Sequence, residues 1–146
     1  MAYIDSQLRF SNAQAVTASA ASTNVIDLGA VDSDWGPGTP LWIVVHCTTA
    51  MTDAGSNSTV APTLESDTVD TFGSATTIQT LPTFAALSAA GTVVMAALAP
   101  MATNERFIRV QYTVANGDLT TGSFTAYITT HALQNWTAVA DGITIS

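Results

Sequence analysis

Apolar and polar positions alternate along most of this chain, and the alternation is cleanest over residues 106–130. Ile108, Val110, Tyr112 and Val114 fall on one side of a run whose other side carries Arg109, Gln111 and Thr113, with Phe107 the single apolar residue there. In the next run Phe124, Ala126 and Ile128 alternate with Thr125, Tyr127 and Thr129. A period of two marks a strand with one buried face. Between the runs lies Asn116-Gly117-Asp118. Glycine takes positive φ freely, and Asn and Asp bond back to their own backbone, so this segment turns the chain. The two strands either pair as a hairpin or belong to two stacked sheets joined by a crossing loop.

The remaining segments are shorter. Leu8 and Phe10 alternate with Gln7 and Arg9, which predicts a short strand, and residues 13–23 are small and polar with little structural preference. Residues 24–28 form a short strand closed by Gly29; residues 32–40 are a Gly- and Pro-rich loop around Trp35. Residues 41–48 are apolar on both sides, Leu41, Ile43, Val45 and Cys47 on one and Trp42, Val44 and His46 on the other. Such a strand is central and covered on both faces, so the Trp42 side requires a loop, an arm or a second subunit over it. Residues 59–67 place Val60, Pro62 and Leu64 inward and Thr63, Glu65 and Asp67 outward. Pro62 lacks the amide hydrogen of a central ladder, which predicts an edge strand or a bulge. Short strands follow at 76–81 and 92–98. Between them, residues 82–90 are the one helix candidate, with Pro82 at the start, Phe84 and Leu87 three apart, and Gly91 as a C-terminal cap.

Eight or nine short strands separated by turn signals predict an all-β antiparallel sandwich or barrel with at most one short helix. The 146 residues fit one domain spanning 1–146, with extended terminal segments: an N-terminal arm at 1–12 and a C-terminal tail at 131–146. Tyr3, Ile4, Leu8 and Phe10 precede any firm strand, so they either close the chain's own sandwich or lie on a neighbour. The neighbour is the expectation, with Arg9 in that contact facing a carboxylate. Trp35, Trp42 and Trp136 complete the candidate interface, since large aromatics on loops and unpaired faces anchor partners.

Charge narrows the partners. Only 10% of residues are charged and 47% are apolar; three arginines, Arg9, Arg106 and Arg109, stand against eleven Asp and Glu, with no lysine, for a net charge of −8. Such a surface repels a phosphate backbone and anionic lipid, so neither nucleic acid nor membrane is an expected partner. No apolar run approaches the roughly 18 residues of a membrane span.

Candidate chemistry is sparse. Cys47 is alone, which excludes an internal disulfide and a cysteine zinc site. His46 lies in an apolar strand, where a packed or hydrogen-bonded histidine is the ordinary case, and His131 has no neighbouring signature. There is no Gly-x-Ser-x-Gly elbow and no Gly-rich phosphate loop. Glu65, Asp67 and Asp70 match no calcium loop and read as a solvated acidic edge that discourages aggregation. No catalytic residue, cofactor or metal is expected, and the chain reads as a non-enzyme.

Several stretches together carry a family likeness: Ser11-Asn12-Ala13-Gln14-Ala15-Val16-Thr17, Ser19 through Gly29, Leu64-Glu65-Ser66-Asp67, Leu81-Pro82-Thr83-Phe84, and Arg106 through Val114. In this order they resemble the capsid cement, or decoration, proteins of tailed bacteriophages, of the kind first recognised on a Bordetella podophage head. The likeness runs from about Asp5 to Thr130. It implies a jelly-roll-like sandwich on the outer surface of an icosahedral virion, in contact with the major capsid protein and with copies of itself, as a dimer or, alternatively, a trimer. The other reading is a receptor- or glycan-binding jelly roll on a tail fibre or surface protein, motivated by Trp35 and Trp136 near polar loops.

Overall fold

Where the alternating runs lie, the chain is extended and pairs antiparallel. The computed structural model of the chain describes residues 6–29, 40–98 and 105–130, together with the backbone of Trp136–Val139 and Gly142–Ile145. A 3-10 turn at Ser6–Leu8 leads into β1 (Arg9–Ala15), β2 (Ala20–Ala21), β3 (Ile26–Asp27), β4 (Leu41–Thr52), β5 (Thr59–Asp67), β6 (Thr76–Thr80), β7 (Val93–Leu98), β8 (Phe107–Ala115) and β9 (Thr121–Thr129). A small hairpin of β10 (Trp136–Val139) and β11 (Gly142–Ile145) pairs with itself.

One sheet runs β1-β9-β4-β7; the other runs β2-β8-β5-β6, with β3 also on β8 beyond β2. Taken as one interrupted strand, β2 and β3 make this a four-plus-four sandwich. Every connection except the β5–β6 hairpin crosses from one sheet to the other. That is the jelly-roll path, two Greek keys wound into a double sheet. The open choice at residues 116–118 falls to the crossing loop, since β8 and β9 sit in different sheets. Asn116 and Gly117 both take positive φ there, 67° and 113°.

The core lies between the sheets. Ile43, Val45 and Cys47 of β4 and Phe124, Ala126 and Ile128 of β9 meet Val60 and Leu64 of β5 and Ile108, Val110 and Tyr112 of β8. Phe124 is the aromatic hub, with the Tyr112 ring stacked at 5.5 Å and Phe84 tilted against it at 5.1 Å. Phe107 and Phe72 lie outside this core beneath cations: the Arg106 guanidinium is 4.9 Å from the Phe107 ring centre, and that of Arg109 is 4.3 Å from Phe72.

The structure corrects three expectations. Residues 9–12 are not an arm on a neighbour: β1 pairs with β9, and Phe10 is fully buried in the chain's own core, with Leu8 packed against it. Tyr3 and Ile4 lie outside the described residues. Residues 82–90 do not form a helix. Phe84 exchanges both backbone hydrogen bonds with Val60, at 2.8 and 3.3 Å, which commits it to the sandwich, while Leu87 points outward at φ 59°. The third correction concerns the acidic edge. β5 is an inner strand between β8 and β6. Glu65 pairs with Arg109 at 3.0 Å, and Asp67 is buried, accepting the backbone N–H of Ser74 at 2.8 Å and of Val69 at 3.2 Å. The Ser74 hydrogen bond holds its carboxyl below the usual range.

Pro62 fits this inner strand. Val60 directs its backbone away from β8, so Pro62, two residues on, does the same. There β6 has ended, and only the Pro62 carbonyl is needed, accepting from Leu81 N–H at 3.1 Å. The bulge expected of this strand appears as a register shift against β6 between Leu64 and Glu65.

Phe10→Ala should lower stability by about 3–5 kcal/mol, the cost of emptying an aromatic core site; urea denaturation measures it, and a loss under about 1 kcal/mol would restore the arm. Acid should act partly through Asp27 at the end of β3, which Arg106, the residue before β8, clamps at 2.6 Å. The Arg106 guanidinium holds the Asp27 pKa at about 2. Its contribution is therefore present above the unfolded carboxylate pKa of about 4 and is lost as pH falls through about 2. Asp27→Asn should flatten the pH dependence of stability in that window.

Candidate interaction surface

The inner faces of the sheets account for only half of β4. Its other side carries Trp42, Val44 and His46, and register places these beside Thr129, Tyr127 and Thr125 of β9 and beside Ala97, Met95 and Val93 of β7. Val44 and Tyr127 are fully buried at the centre of this outer face, with half-buried Trp42, His46, Val93 and Met95 around them. The four-stranded sheet is therefore apolar on both sides. An antiparallel sheet with one face in water ordinarily makes that face polar.

His46 and Tyr127 form the polar element of this face. The His46 Nε2 lies 2.7 Å from the Tyr127 hydroxyl, and the rings stack with centres 5.4 Å apart. Burial pushes the His46 pKa down and the Tyr127 pKa up, so at neutral pH the pair is uncharged. Cys47 points the opposite way, into the core, and burial raises its thiol pKa, which disfavours the nucleophilic thiolate. Among the described residues no three of His, Cys, Asp and Glu converge on one point.

At the β1 margin stands Arg9, opposite Tyr127 in register. Arg106 and Arg109 are paired with Asp27 and Glu65, whereas among the described residues Arg9 has no ion pair. It borders a polar cavity of about 170 Å³ together with Ser11, Asn12, Thr23 and Asn24.

The residues expected at an interface thus separate. Trp42 and Arg9 share the outer face of one sheet, whereas Leu8 and Phe10 serve the core. Tyr3, Ile4 and Trp35 lie outside the described residues, and Trp136 lies in β10. Val93, Met95 and Tyr127 join the surface without having been expected there. Their strands were legible, but the pairing that sets them beside Trp42 is not written in local alternation.

His46 should titrate below the usual histidine value of about 6.5, which an NMR titration of its ring protons reads. Its folded pKa is depressed, so stability should fall as pH drops below that value, and His46→Gln should remove this component.

No curated protein matches the chain. The Bbp16 family matches residues 10–128, from the first core residue of β1 to the last inward residue of β9. The match covers the whole sandwich, and the chain belongs to the Bbp16 family, a family of Bordetella phage proteins.

Proposed function

We propose that this phage protein is a capsid cement protein, a non-enzymatic component of the virion. In this reading it binds the outer surface of the icosahedral head, bridges major capsid protein subunits and associates with copies of itself. The observation that carries the reading is the two-sided apolar sheet, β1-β9-β4-β7, in a phage-family jelly roll. The half-buried residues around its centre, Trp42, Val93 and Met95, still have apolar area to lay against another protein, and burying it stabilises the complex by roughly 25 cal/mol per Å² before association costs. A specific contact of this kind buries about 1,000 Å² or more. Binding only the assembled shell stabilises the assembled state by mass action.

Electrostatics adds direction. With a net charge of −8 the molecule is drawn to basic surface, and Arg9 offers the opposite sign to a carboxylate of the partner at one margin of the apolar face. Binding should accordingly weaken with salt.

Purified particles should contain this chain in numbers comparable to the major capsid protein; copy numbers typical of a tail or fibre would exclude the cement role. On bare capsids, Trp42→Ala and Arg9→Glu should each weaken binding by about tenfold or more while leaving the melting temperature within a few degrees of wild type.

A further inference from the structure

We propose that the hairpin β10–β11 is an intramolecular cover for the outer face of the β1-β9-β4-β7 sheet, and that a partner taking this face must displace it. The first clause stands on the fold alone; the second rests on the reading above.

The face requires a cover. Val44 and Tyr127 are fully buried at its centre, although the strands that form it are a single layer and the other sheet packs on the opposite side. Around them Trp42, His46, Val93 and Met95 are only half-buried. A sheet apolar on both sides is ordinarily packed between two further layers.

The hairpin requires a surface. β10 and β11 pair with each other and with no other strand. Two strands alone are marginal in water and persist when an apolar face packs on something. Register sets Trp136 opposite Ile145 and Ala138 opposite Ile143. Residues of a strand alternate between faces, so these four share one face of the hairpin, while Thr137 and Thr144, opposite each other, fall on the other.

Connectivity brings the two within reach. β9 ends at Thr129, which is paired with Trp42 at the margin of the apolar patch. Residues 130–135 then lead to Trp136. Extended chain advances roughly 3.3 Å per residue, so this link spans up to about 20 Å, whereas stacked sheets lie about 10 Å apart. The link can step out by one layer and turn back over the sheet it leaves. The outer face of the other sheet, two spacings away, would exhaust it. That face is also the wrong chemistry, since register sets Thr63 between Gln111 and Thr80 there.

Charge agrees. The four strands of the covered sheet hold one formal charge, Arg9, beside Tyr127 in register. Residues 131–146 also hold one, Asp141, between β10 and β11. The signs are opposite. A face so covered binds a partner only in the fraction of molecules whose hairpin has lifted, which lowers the apparent affinity of the free protein. The patch is withheld from water until a partner supplies equivalent burial.

The full-length chain provides the test. Cys47 is buried, so a nitroxide on Thr144→Cys, at the polar face of the hairpin, marks one site. It should broaden the NMR signals of Val44, Met95 and Tyr127 and spare Thr63 and Gln111. Absent broadening, or broadening equal on both sheets, overturns the cover. The effect should persist when the marked chain is diluted into an excess of unmarked protein; if dilution abolishes it, the hairpin lies on a second copy and the cover is again overturned. Displacement is read on bare capsids. Trp136→Ser combined with Ile143→Ser should bind them about threefold or more tightly, because the open fraction rises. Unchanged or weaker binding overturns displacement. Capsids that fail to bind the unaltered chain sink the shell reading, while the nitroxide result still decides the cover.

Discussion

The sandwich depends on one buried hydroxyl. Tyr112 sits in the middle of β8 with its ring against Phe124, so its phenol must find a partner inside the core. Ser11 of β1 supplies it at 2.6 Å, and the same serine oxygen accepts the N–H of Ala126 in β9 at 3.1 Å. One short side chain thereby fixes three strands and both sheets relative to one another. The bond also explains a break in β1: register against β9 shifts on either side of Ser11, and Ala13 adopts φ 47°. The strand bends so that Ser11 faces inward beside Phe10. A polar group satisfied in the core costs little, whereas the same tyrosine without its serine would leave a buried hydroxyl and a backbone amide unpaired.

From that fixed corner the molecule grows unequally. The margin near Ser11 is closed by hydrogen bonds from residues 21–24, and the two ion pairs, Arg106–Asp27 and Arg109–Glu65, lie on the β2-β8-β5-β6 side. The other sheet has few formal charges of its own and is apolar on both faces. Among the described residues, ion-pair fastening and two-sided apolarity are thus segregated onto different sheets.

How much of this was legible varies with the physics behind each signal. The runs at 107–115 and 121–129 were plain because each strand has one face against the core, and burial imposes strict alternation on such a face. The apolarity of both sides of β4 was equally plain, since Trp42 and Val44 interleave with Ile43 and Val45. Phe10 misled because its strand is bent at Ala13, which breaks the period of two just where it would have identified β1. Phe84 and Leu87 stand three apart, but spacing cannot reveal that the Phe84 backbone is already engaged by Val60. Asp67 obeys the outward rule of its strand and is nevertheless buried, because the turn at 68–74 folds back over it to use its carboxylate. Long-range pairing, which puts Met95 beside Val44 and Arg9 beside Tyr127, leaves no local trace.

The crossing connections bear on time as well as shape. Because all but one of the links pass from sheet to sheet, neighbours in space are distant along the chain. Closing such loops must precede any reward from the contacts they bring, so chains of this topology fold in milliseconds to seconds where helical bundles take microseconds. The same interleaving ties particular strands to distant ones: β1 cannot leave without stranding Tyr112, nor β9 without opening both halves of its sheet. Where such a chain unfolds irreversibly, the rate of unfolding, more than the equilibrium stability, sets how long the folded molecule endures.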